Sequence, residues 1–232
     1  MKRIGLIGGL GPEATVDYYK EIINAFKNGD RKPEYPEIII YSVNMWDFLE
    51  MFKRKEFDKA CGYILEKIEA LRKAGADFAA ITANTPHLLF DALQQKSTLP
   101  LISIVEATCH EVMARKLQHP GLFGTGLTMK ADFYPQVFQK KGINIAVPDP
   151  DDIEIINEKL FSEIELGVFK KETRDLLVSM IEKMVTGRHI DSIILGCTEL
   201  PLILTKNEYA GIPVLNTTGI HVKEIIHYCR GN

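Results

Sequence analysis

Short apolar runs alternate with amphipathic stretches along the whole chain. Strands are predicted over residues 3–7, 38–43, 78–82 and 101–104, and helices are predicted over residues 57–74 and 87–95. This alternation is typical of an α/β protein with doubly wound, mainly parallel sheets. The connections 44–57 and 151–169 are interpreted as loops that set the choice of substrate side chain.

The first helix is predicted to begin at Pro12, which suits the first position of a helix. Val16, Tyr19, Ile23 and Phe26 recur at steps of three and four residues, so we expect them to form its apolar face. The helix is expected to end at Asn28-Gly29.

The second half of the chain repeats the first. The run Gly5-Leu6-Ile7-Gly8 returns as Gly121-Leu122-Phe123-Gly124. Thr85 stands as far before a Pro-Leu-Ile strand as Thr198 stands before Pro-Val-Leu. The repeat predicts two pseudo-symmetric α/β lobes with the active site in a cleft between them. The N-terminal lobe is expected to comprise residues 1–104 plus 212–232, and the C-terminal lobe residues 105–211.

The charge, the cysteine pattern and the apolar runs of the chain argue against several classes of function. The 232 residues carry a formal net charge of −3 and no basic run, which argues against nucleic-acid binding. The four cysteines are scattered without a CxxC pair, so we expect neither a metal site nor a disulfide framework but reduced thiols in a cytoplasmic protein. No apolar run reaches about 18 residues, so no membrane span is expected.

Cys197 is the strongest candidate for chemistry. It follows the apolar run Ile193-Ile194-Leu195-Gly196, at the strand end where an open α/β sheet keeps its active site. Backbone amides and the hydroxyl of Thr198 are expected to favour its thiolate. A buried structural cysteine is the alternative interpretation.

The candidate substrate-binding residues lie at the ends of the predicted strands of both halves. Their hydroxyl and amide groups would donate to a carboxylate, although such residues also simply cap helices. They are Leu10, Asn84, Thr85, Thr125, Thr128, Thr198 and Glu199. His87 is either an acid or base or a helix-end histidine, and His221 is expected near the end of the last strand.

The turn Gly9-Leu10-Gly11-Pro12-Glu13-Ala14 fits the pattern of a dinucleotide site. Glu13 would meet the pyrophosphate with negative charge, and the second strand does not end in an acidic residue. A dinucleotide-dependent oxidoreductase is therefore disfavoured, and a carboxylate-sized anion fits this turn better.

Four motifs together resemble the cofactor-independent aspartate/glutamate racemase family. They are the initial Ile-Gly-Leu-Ile-Gly-Gly, the segment from Ala83 to His87, the turn from Gly124 to Thr128, and Gly196-Cys197-Thr198-Glu199. The resemblance implies a homodimer of two-lobed chains that binds a small acidic amino acid or dicarboxylate, without a cofactor or a metal. It implies two facing cysteines that remove and return the α-proton, of which the second corresponds to Cys197.

The first of those cysteines is Ala83 here, and alanine carries no proton. Asn216 also stands where relatives tend to have aspartate. A stereospecific or weak racemase acting on aspartate or glutamate is the first hypothesis, with Thr85, His87 or a water in place of the missing thiol. A single-cysteine decarboxylase resembling the arylmalonate type is an alternative, with an apolar pocket from Leu10, Met45, Trp46 and Phe48. A catalytically silent binder of amino acids or dicarboxylates is another.

Overall fold

The structure, a computed structural model, describes residues 1–27 and 34–231. It divides into two compact units, Met1–Ile104 with His221–Asn232, and Val105–Ile220. The expected boundary at residue 212 differs from this division. Strand β8 (Ile212–Asn216) pairs with a strand of the second unit, and residues 212–220 therefore group with that unit.

The first unit is a four-stranded parallel sheet flanked by helices, with the strand order β2-β1-β3-β4. Its elements are β1 (Ile4–Gly8), α1 (Pro12–Ala25), β2 (Ile38–Ser42), α2 (Met45–Lys53), α3 (Phe57–Lys73), β3 (Phe78–Ile81), a 3-10 helix (Thr85–Leu89), α4 (Phe90–Lys96) and β4 (Leu101–Ile102). One face of the sheet packs on α1 and on the C-terminal helix α11 (Thr217–Arg230), and the other packs on α3. Both faces are thus covered, as in a doubly wound sheet.

The second unit repeats this plan, with the strand order β5-β6-β8-β7. Its further elements are α5 (Ile104–Ala114), β5 (Pro120–Gly124), α6 (Gly126–Lys130), α7 (Phe133–Gln139), α8 (Pro150–Ser162), a 3-10 helix (Ile164–Leu166), α9 (Lys171–Arg188), β6 (Ser192–Gly196), α10 (Leu200–Ile203) and β7 (Glu208–Tyr209). The strands pair in parallel except β7, which is antiparallel to β8. The predicted α/β class with parallel sheets is confirmed.

Helix α1 buries a different face from the predicted one, although Phe26 at its end is buried as expected. Tyr18 and Ile22 are buried, whereas Val16 and Tyr19 are 46% and 47% exposed. The buried positions are also four residues apart, so spacing alone does not decide which stripe meets the sheet. The expected helix end at Asn28 and Gly29 lies outside the described residues.

Both connections expected to be loops contain helices, namely α2 and α8. None of the helices in the described ranges has the length and apolar composition needed to cross a bilayer.

Candidate functional site

Cys197 follows directly on the last residue of β6 and is 5% exposed. Its Sγ lies 3.2 Å from Oε2 of Glu199 and 3.5 Å from Oε1 of Glu165, and the thiol donates toward both carboxylates. The Thr198 hydroxyl donates to Oε2 of Glu199 at 3.0 Å. The second unit therefore buries a thiol between two acidic groups at the carboxyl end of its sheet.

Burial and the charge of this cluster keep the Cys197 thiol protonated. Burial raises the pKa of Cys197 well above its usual value, and the neighbouring Glu199 and Glu165 raise it further. The expectation that the surroundings favour the thiolate is therefore wrong for this arrangement. Burial and these two carboxylates together outweigh the hydrogen bond from the Glu199 amide, which acts to lower the pKa.

Glu165 is the residue that the sequence did not reveal. It lies in the 3-10 helix between α8 and α9, inside the connection expected to be a loop. Burial raises its pKa to about 8, and Glu199 contributes in the same direction, while the hydrogen bond from Cys197 opposes both. Its only signal in the sequence is a carboxylate between two apolar residues, Ile164 and Leu166, which is weak.

Three of the predicted binding residues lie in the first unit, at the ends of its strands. Leu10 follows β1 and is 9% exposed, and Asn84 and Thr85 follow β3. In the turn after β1, the Gly9 amide donates to the Thr15 hydroxyl at 2.9 Å. This amide is thus used within the turn, which further disfavours a dinucleotide there.

The other four lie in the second unit. Thr125 caps α6 by accepting from the Thr128 amide at 3.2 Å, and the two hydroxyl oxygens are 3.0 Å apart. Thr198 and Glu199 contact each other beside Cys197. The structure thus places these residues in two groups, one after β5 and one after β6.

His87 is held by backbone groups at both ring nitrogens. Nδ1 donates to the Ala83 carbonyl at 2.9 Å, and Nε2 accepts from the Ile104 amide at 3.2 Å. Burial lowers its pKa to about 4, so the ring is neutral. His87 therefore connects the segment after β3 with the segment after β4 through hydrogen bonds. Its suggested role as an acid or base is wrong for this arrangement.

His221 is fixed in the same manner in the first unit. Nε2 donates to the Ile102 carbonyl at 3.0 Å, and Nδ1 accepts from the Tyr18 hydroxyl at 2.8 Å. Burial, and next the nearby His87, lower its pKa to about 3. The Asn216 side chain accepts from the Gly219 amide at 3.2 Å and so caps α11 without the charge of an aspartate.

The sulfur of Cys197 and one oxygen each of Glu165 and Glu199 lie within 4.8 Å of one another. Such a set can hold a divalent metal ion or move protons between a thiol and carboxylates. Two of the residues suggested for the apolar pocket of a decarboxylase lie in different surroundings. Phe48 is 1% exposed and lies in the core, whereas Trp46 is 57% exposed to solvent.

Residues 7–225 match the family model described as Asp/Glu/hydantoin racemase. The chain is 26% identical over 235 residues to the broad-specificity amino-acid racemase RacX of Bacillus subtilis, with 96% of each chain covered. It is similar in structure to an aspartate racemase homologue from Pyrococcus horikoshii, with 36% identity, a TM-score of 0.85, and 99% of this chain and 100% of the other covered. The aspartate racemase of Picrophilus torridus shares the fold at 20% identity, with a TM-score of 0.79 over 99% of this chain and 95% of the other.

Proposed function

The chain belongs to the Asp/Glu/hydantoin racemase family, and from this premise we propose that it is an amino-acid racemase or epimerase in which Cys197 transfers the α-proton. The observation that carries the proposal is the burial of this thiol between two carboxylates at the end of β6. The proposed substrate is a small acidic amino acid such as aspartate or glutamate. Because RacX is described as a broad-specificity amino-acid racemase, other amino acids such as alanine are worth testing as well.

The proposed proton path begins at the thiol. Cys197 passes its proton to Glu199, whose Oε2 is 3.2 Å away, and becomes a thiolate. The thiolate removes the α-proton, and the electron pair left on the α-carbon is delocalised into the substrate carboxylate. Return of a proton from Cys197 regenerates the same enantiomer, and protonation on the other face gives its mirror image. Thr125, Thr128, Leu10, Asn84 and Thr85 are proposed to bind the substrate.

Ala83 makes the proposed reaction one-sided. Ala83 takes the position where the family resemblance implies a cysteine that faces Cys197. Both ring nitrogens of the neighbouring His87 are in hydrogen bonds with backbone groups. Water is then the proton source for that face. We therefore propose slow or stereospecific turnover, with neither metal nor cofactor, in a cytoplasmic homodimer.

The test is proton NMR in deuterium oxide with the L and D forms of aspartate, glutamate and alanine. We expect the α-proton signal of one enantiomer to disappear faster than the opposite enantiomer forms, because Cys197 exchanges its proton with the solvent. Cys197→Ser is expected to slow this exchange by at least about a hundredfold.

Cys61→Ser is the matched control, since Cys61 is also a buried cysteine and lies on α3. Equal exchange into both enantiomers would contradict the one-sided mechanism. Exchange that survives in Cys197→Ser would contradict the role of the thiol. No exchange with any of the six compounds would favour the decarboxylase or the silent binder.

A further inference from the structure

One buried oxygen beside Cys197 has no role in the proton path. Oε1 of Glu165 faces the thiol at 3.5 Å, whereas Oε2 is buried and receives no hydrogen bond from any residue in the described part of the chain. A buried carboxylate oxygen without a donor is unfavourable, and such groups in native proteins have partners that explain them. This oxygen is therefore placed to receive a donor that arrives with a ligand.

The turn that carries Glu165 is held firmly. The carboxylate of Glu163 accepts from Thr173 at 2.5 Å, from Lys159 at 3.1 Å and from Lys170 at 3.2 Å. Its backbone carbonyl accepts from the amides of residues 166 and 168. Glu165 is thus part of a turn that several hydrogen bonds hold in place, and this turn fixes its position next to Cys197.

The ionisable groups around this oxygen are all acidic. The titratable groups that act on Glu165 are Glu199 and Cys197, and those that act on Cys197 are the two glutamates. No lysine or arginine of the described residues contributes to either. A cation that enters this cluster would meet two carboxylates without competition from a resident positive charge.

We propose that Glu165 binds the α-ammonium group of the substrate amino acid and thereby selects amino acids over the corresponding α-hydroxy acids. The inference rests on the proposed function only for the identity of the ligand as an amino acid. An ammonium group has three donors, which suits an oxygen that lacks one, and it carries the charge that the cluster lacks. By offsetting the two carboxylates it also makes ionisation of Cys197 easier when the substrate is present.

The test is isothermal titration calorimetry of native protein with three matched pairs, alanine and lactate, aspartate and malate, and glutamate and 2-hydroxyglutarate, each as both enantiomers. We expect the native protein to prefer at least one amino acid to its hydroxy acid by about 10- to 100-fold. Glu165→Gln is expected to remove this preference, because the amide that replaces the carboxylate carries no negative charge. Glu172→Gln, which removes an exposed carboxylate from α9, is the matched control.

The proposal is overturned if native protein binds none of the pairs, binds hydroxy acids equally well, or keeps its preference in Glu165→Gln. Because binding is measured without turnover, loss of the inference is distinguishable from loss of the proposed racemase activity. A preference that requires added Zn²⁺ and disappears with a chelator would also overturn it, since the cluster would then be a metal site.

Discussion

At the scale of single residues, the proposed mechanism makes Ala83 the residue that limits how many faces of the substrate can exchange protons. It follows β3 and is 6% exposed, so a side chain one sulfur atom larger is a small change in volume. We predict that Ala83→Cys supplies the second proton-transfer group. α-Proton exchange should then extend to the enantiomer that native protein exchanges slowly, and racemisation measured by circular dichroism should rise by about tenfold or more.

Ala83→Ser is the control, because the serine oxygen takes a position similar to that of the cysteine sulfur but is not a thiol. Equal gains with serine and cysteine would show that volume or polarity, and not proton transfer by a thiol, limits the reaction.

The residues of the site were only partly predictable from the sequence. Cys197 was predicted because a thiol after an apolar strand and a glycine has a local signature, and the structure places it at the end of β6. Glu165 was missed because its approach to Cys197 depends on the turn between α8 and α9, which has no local pattern. The pKa of Cys197 was assigned the wrong direction for the same reason, since the burial and the two carboxylates that raise it are tertiary features.

At the scale of elements, a buried hydrogen bond joins the turn between α8 and α9 to the start of α9. The Thr173 hydroxyl, on the first turns of α9, donates to Glu163, whose pKa is lowered to about 2 chiefly by this bond and next by Lys159. We predict that Thr173→Val loosens the turn, because valine has a similar shape but no donor. Hydrogen exchange at the amides of Leu166 and Val168 should become several-fold faster, and α-proton exchange should slow.

Thr186→Val is the control for placing valine on α9, since the Thr186 hydroxyl donates to carbonyls of its own helix. If the amides of the turn keep their protection in Thr173→Val, the position of Glu165 does not depend on this bond.

Two helices were mistaken for loops although the sequence carries their signals. In α2, Asn44 caps the helix by accepting from the Trp46 amide at 3.1 Å, and Phe48, Met51 and Phe52 form the buried stripe. In α8, Pro150 stands in the first turn, and the buried positions are again three and four residues apart. Caps and periodicity therefore sufficed for these elements, whereas the choice of buried stripe in α1 required the position of the sheet.

At the scale of the whole molecule, two neutral histidines link stability to pH. His87 and His221 have pKa values of about 4 and about 3 in the folded protein, against about 6.5 when unfolded. The unfolded chain therefore binds more protons below pH 6.5. The stabilising contribution is fully present above that pH and is lost as the pH falls toward 4, amounting to roughly 3 kcal/mol for His87 alone.

We predict that His87→Gln is less stable than native protein at pH 7 and that the difference narrows toward pH 4.5. Urea unfolding at a series of pH values measures this difference, and the exposed His227→Gln variant is the control for loss of an imidazole. A difference that stays constant over this range would show that His87 is not buried in its neutral form.

The protonated state of Cys197 also affects how readily this thiol is oxidised. Peroxides and electrophiles attack the thiolate, and a buried thiol with a raised pKa offers them very little of it. The thiol of the free protein is thereby protected from oxidation, and under the proposed mechanism the sulfur becomes reactive only while a bound amino acid favours its ionisation.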